Sequence, residues 1–234
     1  MLRFWIAAVA LLLAGGAQAD EASVKKALEG RLSLGVESVT RTPVPGIYEV
    51  FTGGEIVYVD ESGNYLFYDG SLIDLKSKAN LTSDRLHKLT AIRFDSLPLD
   101  LAFKKVKGNG SRRLAYFADP NCGFCKRFEQ ELNSVTDVTV YMFLYPILTP
   151  DSIDKSKAVW CSDNRAKAWD DWMQRGVKPA AAQTCDTPVE KVLAYGKKMS
   201  ISGTPTLVFA DGSRVPGAIS GEQLRKLLDA PPAK

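Results

Sequence analysis

The feature that most constrains how this chain can fold is a Cys-x-x-Cys pair, Cys122 and Cys125, at the junction of two periodic segments. Before the pair, the short apolar run Arg113–Phe117 predicts a β-strand. After it, the segment Gly123–Val135 carries apolar residues at helical spacing. A strand that turns into a helix here places Cys122 at the helix N-terminus, where free backbone N–H groups and the helix dipole stabilise a thiolate.

This position predicts a redox-active dithiol, because the thiolate is the attacking species in thiol–disulfide exchange. Cys122 is expected to be the exposed nucleophile. Cys125, one helical turn further on, is expected to be shielded and to attack the mixed disulfide that forms at Cys122. Gly123 and Phe124 complete the Cys-Gly-Phe-Cys motif.

Two other interpretations of the pair compete with this one. Zinc sites use Cys-x-x-Cys for two ligands, but Cys161 and Cys185 do not form a second such pair, and the single histidine, His87, lies far upstream. An inert structural disulfide would close a very short loop, which adds little stability in the chain-entropy model. The redox interpretation is therefore favoured, and no metal or other cofactor is expected.

A second motif, Gly203-Thr204-Pro205, lies directly before the apolar run Leu207–Phe209. A proline at the start of a strand can be an ordinary edge residue. In a chain that also has a strand–Cys-x-x-Cys–helix segment, the motif resembles the cis-proline loop of thioredoxin-fold proteins. That resemblance implies a cis Thr204–Pro205 bond and a Thr204 backbone that binds an extended substrate beside the dithiol.

Over essentially its whole length, the chain resembles the periplasmic protein disulfide isomerases of the DsbC type, within the thioredoxin-fold DsbC/DsbG family. The resemblance covers a signal peptide, a small N-terminal domain, a helical linker, the Cys122–Cys125 motif, the Cys161 and Cys185 pair, and Gly203-Thr204-Pro205 followed by Val215-Pro216-Gly217. It implies a mixed α+β and α/β fold. A thioredoxin-like catalytic domain with a helical insertion would follow a small N-terminal dimerisation domain, made of a helix and an antiparallel sheet, through a helical linker.

The same resemblance implies partners and a role for the second cysteine pair. It implies a homodimer, misfolded disulfide-containing exported proteins as substrates, and a membrane thiol reductant that keeps the dithiol reduced. In the family, the position of Cys161 and Cys185 carries a structural disulfide. The residues alone favour a bond between these two cysteines in an oxidising compartment, and they leave a second redox pair as the alternative.

The order of segments predicts the domain organisation. Residues 1–19 combine a positive n-region, an apolar core and an Ala-Gln-Ala cleavage site, which predicts a signal peptide and export to the periplasm. Residues 20–80 indicate a helix and a meander of hairpins, whose thin core favours pairing with a second copy. Residues 81–107 predict a linker with a helix from about Asp84 to Asp95, and residues 108–234 the catalytic domain.

One group that thioredoxin possesses is missing. Thioredoxin keeps a buried acid six residues before its first cysteine, as a proton acceptor for the second cysteine, and this chain has Tyr116 there. Asp119, nearer to the dithiol, is either an acidic neighbour or only a turn residue with Pro120. The sequence therefore names no proton acceptor for Cys125.

Composition narrows the functional classes. The 30 basic and 27 acidic residues nearly balance, and no block of lysine or arginine stands out, which argues against nucleic acid as a partner. The predicted function is rearrangement of incorrect disulfides in exported proteins, with chaperone activity beside it. A dithiol oxidase of the same fold and a chaperone-like relative of the DsbG type are the alternatives. An oxidase would not need residues 20–80, and the DsbG type usually lacks the second cysteine pair.

Overall fold

The computed structural model describes residues 20–31, 35–180 and 185–231. The predicted signal peptide lies outside these residues. Backbone contacts divide the chain into two compact units, with the boundary between Gly70 and Ser71. No helix in the described ranges is long and apolar enough to cross a lipid bilayer.

The first unit is a small antiparallel sheet packed against one helix. Its elements are α1 (Glu21–Leu28), β1 (Val36–Arg41), β2 (Ile47–Thr52), β3 (Glu55–Asp60) and β4 (Leu66–Phe67), and the sheet order is β1-β2-β3-β4. Helix α1 buries Val24 and Leu28 against alternate residues of β2 and β3 such as Val50 and Val59. The short helix and hairpins agree with the elements predicted for this region.

Strand β4 forms an edge of this sheet with a markedly apolar surface. It pairs with β3 through two residues only, Leu66 with Val59 and Phe67 with Tyr58. Four consecutive large side chains at this edge are exposed, at relative accessibilities of 44–73%: Tyr65, Leu66, Phe67 and Tyr68. An apolar edge of this kind is the sort of surface that another chain can cover.

The second unit begins with a hairpin and a helix: β5 (Ile73–Asp74), β6 (Ala79–Asn80) and α2 (Leu81–Thr90). Helix α2 starts about three residues earlier than predicted, because the Asn80 side chain, not residues 82–84, accepts the capping hydrogen bond from the Ser83 backbone. The helix also ends earlier, at Thr90. Two 3₁₀ turns, Phe94–Ser96 and Leu99–Leu101, follow it.

A five-stranded sheet forms the centre of the second unit. Its strands are β7 (Phe103–Lys107), β8 (Arg112–Ala118), β9 (Val138–Leu144), β10 (Thr206–Phe209) and β11 (Arg214–Pro216), in the order β11-β10-β8-β9-β7. The central pair β8–β9 is parallel, and the other neighbours are antiparallel. Residues Leu114–Ala118 of β8 are fully buried, because helices cover both faces of the sheet.

Strand β7 was not predicted, and it precedes the predicted strand Arg113–Phe117, which is β8, in the chain. Its sequence, Phe-Lys-Lys-Val-Lys, falls in the segment that the sequence analysis assigns to the helical linker. Three lysines in five residues suggest a solvated segment rather than a strand. The structure resolves the conflict by turning Lys105 inward, where its ammonium group pairs with Glu129.

Five helices surround the sheet. They are α3 (Gly123–Leu132), α4 (Pro150–Trp160), α5 (Arg165–Arg175), α6 (Val189–Lys198) and α7 (Gly221–Leu228). Helices α3, α4, α5 and α7 share one apolar core with Leu114 and Tyr116, whereas α6 packs on the other face with Phe117. Helices α4 and α5 follow β9 as the implied helical insertion, and α3 ends three residues before Val135, where the helical spacing in the sequence ends.

Candidate active site

The dithiol sits at the junction of β8 and α3, as the periodicity predicts. Helix α3 begins at Gly123, and Cys122 is its N-cap residue. The Cys122 sulfur accepts a hydrogen bond of 3.1 Å from the backbone N–H of Cys125. The first turn of the helix thus directs a donor at the sulfur, which favours its anionic form.

The Gly203-Thr204-Pro205 loop reaches the same sulfur from the other side. The Thr204–Pro205 bond is cis, as predicted. The Cys122 thiol donates a hydrogen bond of 3.2 Å to the Thr204 carbonyl oxygen. The buried hydroxyl of Thr204 has no hydrogen-bond partner among the described residues, but it is near enough to Cys122 to lower the pKa of that thiol.

These surroundings give the two thiols opposite acidities. The hydrogen bond with the Cys125 side chain is the largest of the effects that together lower the pKa of Cys122 to about 6, and the Thr204 hydroxyl and two backbone N–H groups add to it. Burial, followed by the hydrogen bond with Cys122, raises the pKa of Cys125 far above the ordinary thiol range. At neutral pH, Cys122 is therefore the thiolate and Cys125 the thiol.

The expected exposure of Cys122 is wrong. Its relative accessibility is 3%, against 0% for Cys125, so both residues are buried. The sulfur of Cys122 is enclosed by the start of α3 on one side and by the Thr204 loop on the other. The difference in reactivity between the two thiols therefore rests chiefly on the difference in their pKa values.

Alkylation of the reduced protein tests this assignment. With iodoacetamide, we expect Cys122 to react first, at a rate that is flat above about pH 7 and falls tenfold per pH unit well below pH 6, as the thiolate is protonated. Peptide mass spectrometry across a pH series gives the site and the midpoint, and Cys122→Ala supplies the control that should lack the fast phase. First labelling at Cys125, or a midpoint near the ordinary cysteine value of about 8.5, would contradict the assignment.

Asp119 holds the loop around the dithiol in place. The sequence alone left open whether it is an acidic neighbour of the dithiol or only a turn residue. Its carboxylate is fully buried, and it accepts four hydrogen bonds of 2.7–2.9 Å, from the backbone N–H groups of Asn121, Ile147 and Leu148 and from the Ser152 hydroxyl. Its backbone carbonyl also accepts from the N–H of Cys122. Asp119 thus joins the dithiol loop to the segment that leads into α4.

The surface beside Cys122 is apolar. Phe124 is 58% exposed, and the Arg127 guanidinium lies 5.0 Å from the centre of its ring. Ile147 and Leu148, whose N–H groups bind Asp119, also expose their side chains. Gly123 has open space where a side chain would extend.

Beneath α3 lies a buried charge cluster that sequence reasoning missed. The Glu129 carboxylate, 1% exposed, forms an ion pair of 2.8 Å with Lys105 of β7 and accepts a hydrogen bond from the indole N–H of Trp169. Lys105 also contacts Asp170. Burial opposes the charge of Lys105, but the two carboxylates outweigh it and raise the pKa of its ammonium group. The signal for this cluster was the i, i+4 spacing of Cys125 and Glu129 on the buried face of the helix.

The second cysteine pair is joined. Cys161, directly after α4, and Cys185, before α6, form a disulfide. This bond removes both thiols from the set of possible zinc ligands, so the zinc interpretation of Cys122 and Cys125 loses its remaining cysteine ligands. All four cysteines of the sequence lie among the described residues, and Cys122 and Cys125 are the two that remain free.

Comparison with known proteins places the chain in a family. The profile described as a thioredoxin-like domain matches residues 99–231, and that of a disulfide bond isomerase protein N-terminal domain matches residues 15–83. A Bordetella parapertussis protein named "Probable thiol:disulfide interchange protein DsbC" is 46% identical over 193 residues, which are 82% of this chain and 68% of the relative. The chain belongs to the DsbC family.

Other members of the DsbC family extend the match. The Escherichia coli K12 protein "Thiol:disulfide interchange protein DsbC" is 27% identical over 221 residues, which cover 92% of this chain and 90% of the relative. The crystal structure of a disulfide interchange protein from Neisseria gonorrhoeae is 45% identical, with a TM-score of 0.54. It covers 56% of this chain and 96% of the Neisseria chain. The thioredoxin fold predicted from the two motifs is confirmed.

Proposed function

We propose that this chain is a thiol–disulfide isomerase of exported proteins, in which Cys122 is the catalytic nucleophile and Cys125 the resolving thiol. The observation that carries the proposal is the Cys122 sulfur, with its pKa lowered to about 6, enclosed between the first turn of α3 and the Thr204 carbonyl. A thiolate near neutral pH attacks disulfides readily and is also a good leaving group. Both properties are needed to make and release mixed disulfides repeatedly.

The reaction follows from the states of the two thiols. The Cys122 thiolate attacks one sulfur of an incorrect substrate disulfide, a new bond to Cys122 forms, and the other substrate sulfur leaves as a thiolate. That freed thiolate attacks elsewhere in the substrate, and the rearranged substrate finally displaces Cys122. If rearrangement stalls, Cys125 attacks Cys122, the substrate leaves reduced, and a Cys122–Cys125 disulfide remains. A thiol reductant at the membrane would then restore the dithiol.

Substrate binding is proposed to use the loop opposite the dithiol. The Thr204 carbonyl already lies within hydrogen-bonding distance of the Cys122 sulfur. An extended substrate segment that pairs with the backbone of Thr204 and Pro205 would therefore bring its own sulfur to Cys122. Backbone pairing demands little of the side chains, and exposed Phe124 offers a general apolar contact. Such recognition suits an enzyme that acts on many misfolded proteins.

Refolding of a scrambled protein with several disulfides tests this function. The purified chain, in a glutathione buffer, should accelerate the recovery of activity of fully oxidised, wrongly paired ribonuclease. It should do little for reduced ribonuclease beyond what the buffer does. Acceleration of oxidation alone, without rearrangement of the scrambled protein, would favour the dithiol oxidase instead.

The remaining features of the proposal concern assembly and location. We propose a homodimer formed through the first unit, residues 1–19 as a cleaved signal peptide, and the periplasm as the compartment. The exposed apolar side chains at β4 support the dimer, and they support a chaperone activity beside catalysis. The disulfide between Cys161 and Cys185 supports an oxidising compartment.

Sedimentation equilibrium tests the dimer. The mature protein at micromolar concentration should have twice the mass of its chain, because pairing at β4 buries side chains that are exposed in the single chain. Phe67→Asp places a charge in that edge and should shift the protein towards the monomer. Val177→Asp introduces the same charge at an exposed apolar position of the second unit and should leave the dimer intact. A monomeric wild-type protein would refute the assignment.

A further inference from the structure

Tyr116 occupies a rigid position directly below the resolving cysteine. It lies in the central strand β8 and is fully buried. Its ring makes edge contacts with Phe128 of α3, at 5.0 Å between ring centres, and with Trp169 of α5, at 6.5 Å. These contacts from two helices fix the direction in which the hydroxyl points.

The hydroxyl of Tyr116 points at Cys125. It donates a hydrogen bond of 3.3 Å to the Cys125 carbonyl oxygen, which is long for an O–H donor. From this position beside Cys125 the hydroxyl lowers the pKa of the Cys125 thiol, while the Cys125 thiolate raises the pKa of Tyr116. A weakly bound hydroxyl proton can rotate to the sulfur at little cost when that sulfur becomes charged.

Among the residues that the structure describes, no carboxylate near Cys125 is placed to act on the sulfur in this way. Asp119 directs both of its carboxylate oxygens at four other donors. Glu129, one turn further along α3, pairs with Lys105 and accepts a hydrogen bond from Trp169. Asp170 on α5 also pairs with Lys105. Cys122 and Lys107 of β7, whose charge interacts with Lys105, Glu129 and Asp170, are further titratable groups in this region. The tyrosine is the neutral donor among them.

We infer that Tyr116 donates a hydrogen bond to the Cys125 sulfur while that sulfur attacks Cys122, and so promotes release of bound substrate. This inference rests on the proposed role of Cys125 as the resolving thiol. In the step, a Cys125–Cys122 bond forms and the bond between Cys122 and the substrate sulfur breaks. The electron pair of that bond leaves with the substrate thiolate, which takes up the proton that Cys125 gives up.

Tyr116 keeps its own proton throughout this step. Burial, then the charges of Cys125 and Glu129, raise the pKa of Tyr116 well above the ordinary tyrosine value, so the hydroxyl stays a donor and does not act as a base. Tyr116 thus differs in kind from the buried acid of thioredoxin, which accepts the proton. The strength of its hydrogen bond sets how long a mixed disulfide persists before Cys125 ends it.

Ellman's reagent separates the two thiols in a stopped-flow experiment. The reduced protein has only Cys122 and Cys125 free, and excess reagent makes capping of Cys122 the faster step. The first equivalent of thionitrobenzoate then reports on Cys122, and the second reports on the attack by Cys125. We expect Tyr116→Phe to slow the second phase about tenfold or more between pH 6 and 8, the effect of losing a hydrogen bond to a charged group, with the first phase unchanged.

A matched control removes a different buried tyrosine hydroxyl. Tyr145 lies in the apolar core on the other face of the sheet, and its hydroxyl donates a hydrogen bond of 2.8 Å to the Ile201 carbonyl. Tyr145→Phe should leave the ratio of the two phases within about twofold of the wild type, the scatter expected of a purely structural change. An unchanged second phase in Tyr116→Phe, or equal slowing of both phases, would overturn the inference.

Two further measurements keep the outcome decisive. If Tyr116→Phe fails to fold, site-specific 3,5-difluorotyrosine at position 116 keeps the ring and hydroxyl and makes the hydroxyl a stronger donor. Its second phase should then be faster than wild type at pH 6, and an equal or slower phase would count against Tyr116. Cys125→Ala should release one equivalent only. If the wild type also releases one equivalent, the proposed role of Cys125 fails, separately from that of Tyr116.

Discussion

Replacing Cys122 with alanine is expected to reduce the rearrangement of scrambled ribonuclease to the rate of the glutathione buffer alone. Cys122 is the thiol whose pKa, at about 6, leaves it ionised at neutral pH, and Cys125 is held protonated by its burial. No other free thiol is present in the part of the chain that the structure describes. Without Cys122, no attack on a substrate disulfide can begin.

Cys125→Ala is the matched comparison, because it removes the neighbouring thiol and leaves the nucleophile. It should retain a substantial part of the rearrangement activity, while mixed disulfides with substrate accumulate and can be trapped by acid and seen on non-reducing gels. If both variants keep their anti-aggregation activity, the chaperone activity is independent of catalysis. Full isomerase activity in Cys122→Ala would end the proposed mechanism.

Lys105→Met is expected to destabilise the second unit by about 3–5 kcal/mol, since it leaves Glu129 as a buried charge without its cation. Unfolding by guanidinium chloride, followed by tryptophan fluorescence, measures the loss, because Trp160, Trp169 and Trp172 all lie in this unit. Lys104→Met, the same change at the exposed neighbour, should cost less than about 1 kcal/mol, consistent with its contact with the Tyr141 ring.

The double variant Lys105→Met with Glu129→Gln separates the ion pair from simple packing. Glutamine keeps an acceptor for the indole N–H of Trp169 and removes the unpaired charge. The double variant should therefore be more stable than Lys105→Met alone. Equal stability of the two would mean that the buried charge of Glu129 is not the source of the loss.

Local sequence signals were enough to predict the dithiol. The period of the apolar residues changes where β8 meets α3, and this change alone places Cys122 at the helix start. The contact between Cys122 and Thr204 spans 82 residues, and no periodicity encodes it. That part of the site could be predicted only because the two motifs together resemble a known fold.

What the sequence did not reveal depends on contacts between distant segments. The burial of Cys122 comes from the Thr204 loop, and the role of Asp119 comes from donors about 30 residues further along the chain. Strand β7 was missed because the charge of Lys105 is compensated by Glu129 and Asp170, which lie on other elements. In each case a polar residue looks solvated until its partner is known.

The two edge strands of the five-stranded sheet affect how a protein of this kind can bind incompletely folded substrates. Such substrates carry unpaired strands, which can add to any open sheet edge and remain there. Strand β7, at one margin, carries Lys104, Lys105 and Lys107, and β11, at the other, is three residues long and ends in Pro216, which has no N–H to offer. Both margins are therefore poor templates for a substrate strand. In the second unit, an extended substrate is therefore expected to pair with the Thr204 loop beside Cys122 rather than with an edge of this sheet, which would keep the sheet from templating aggregation.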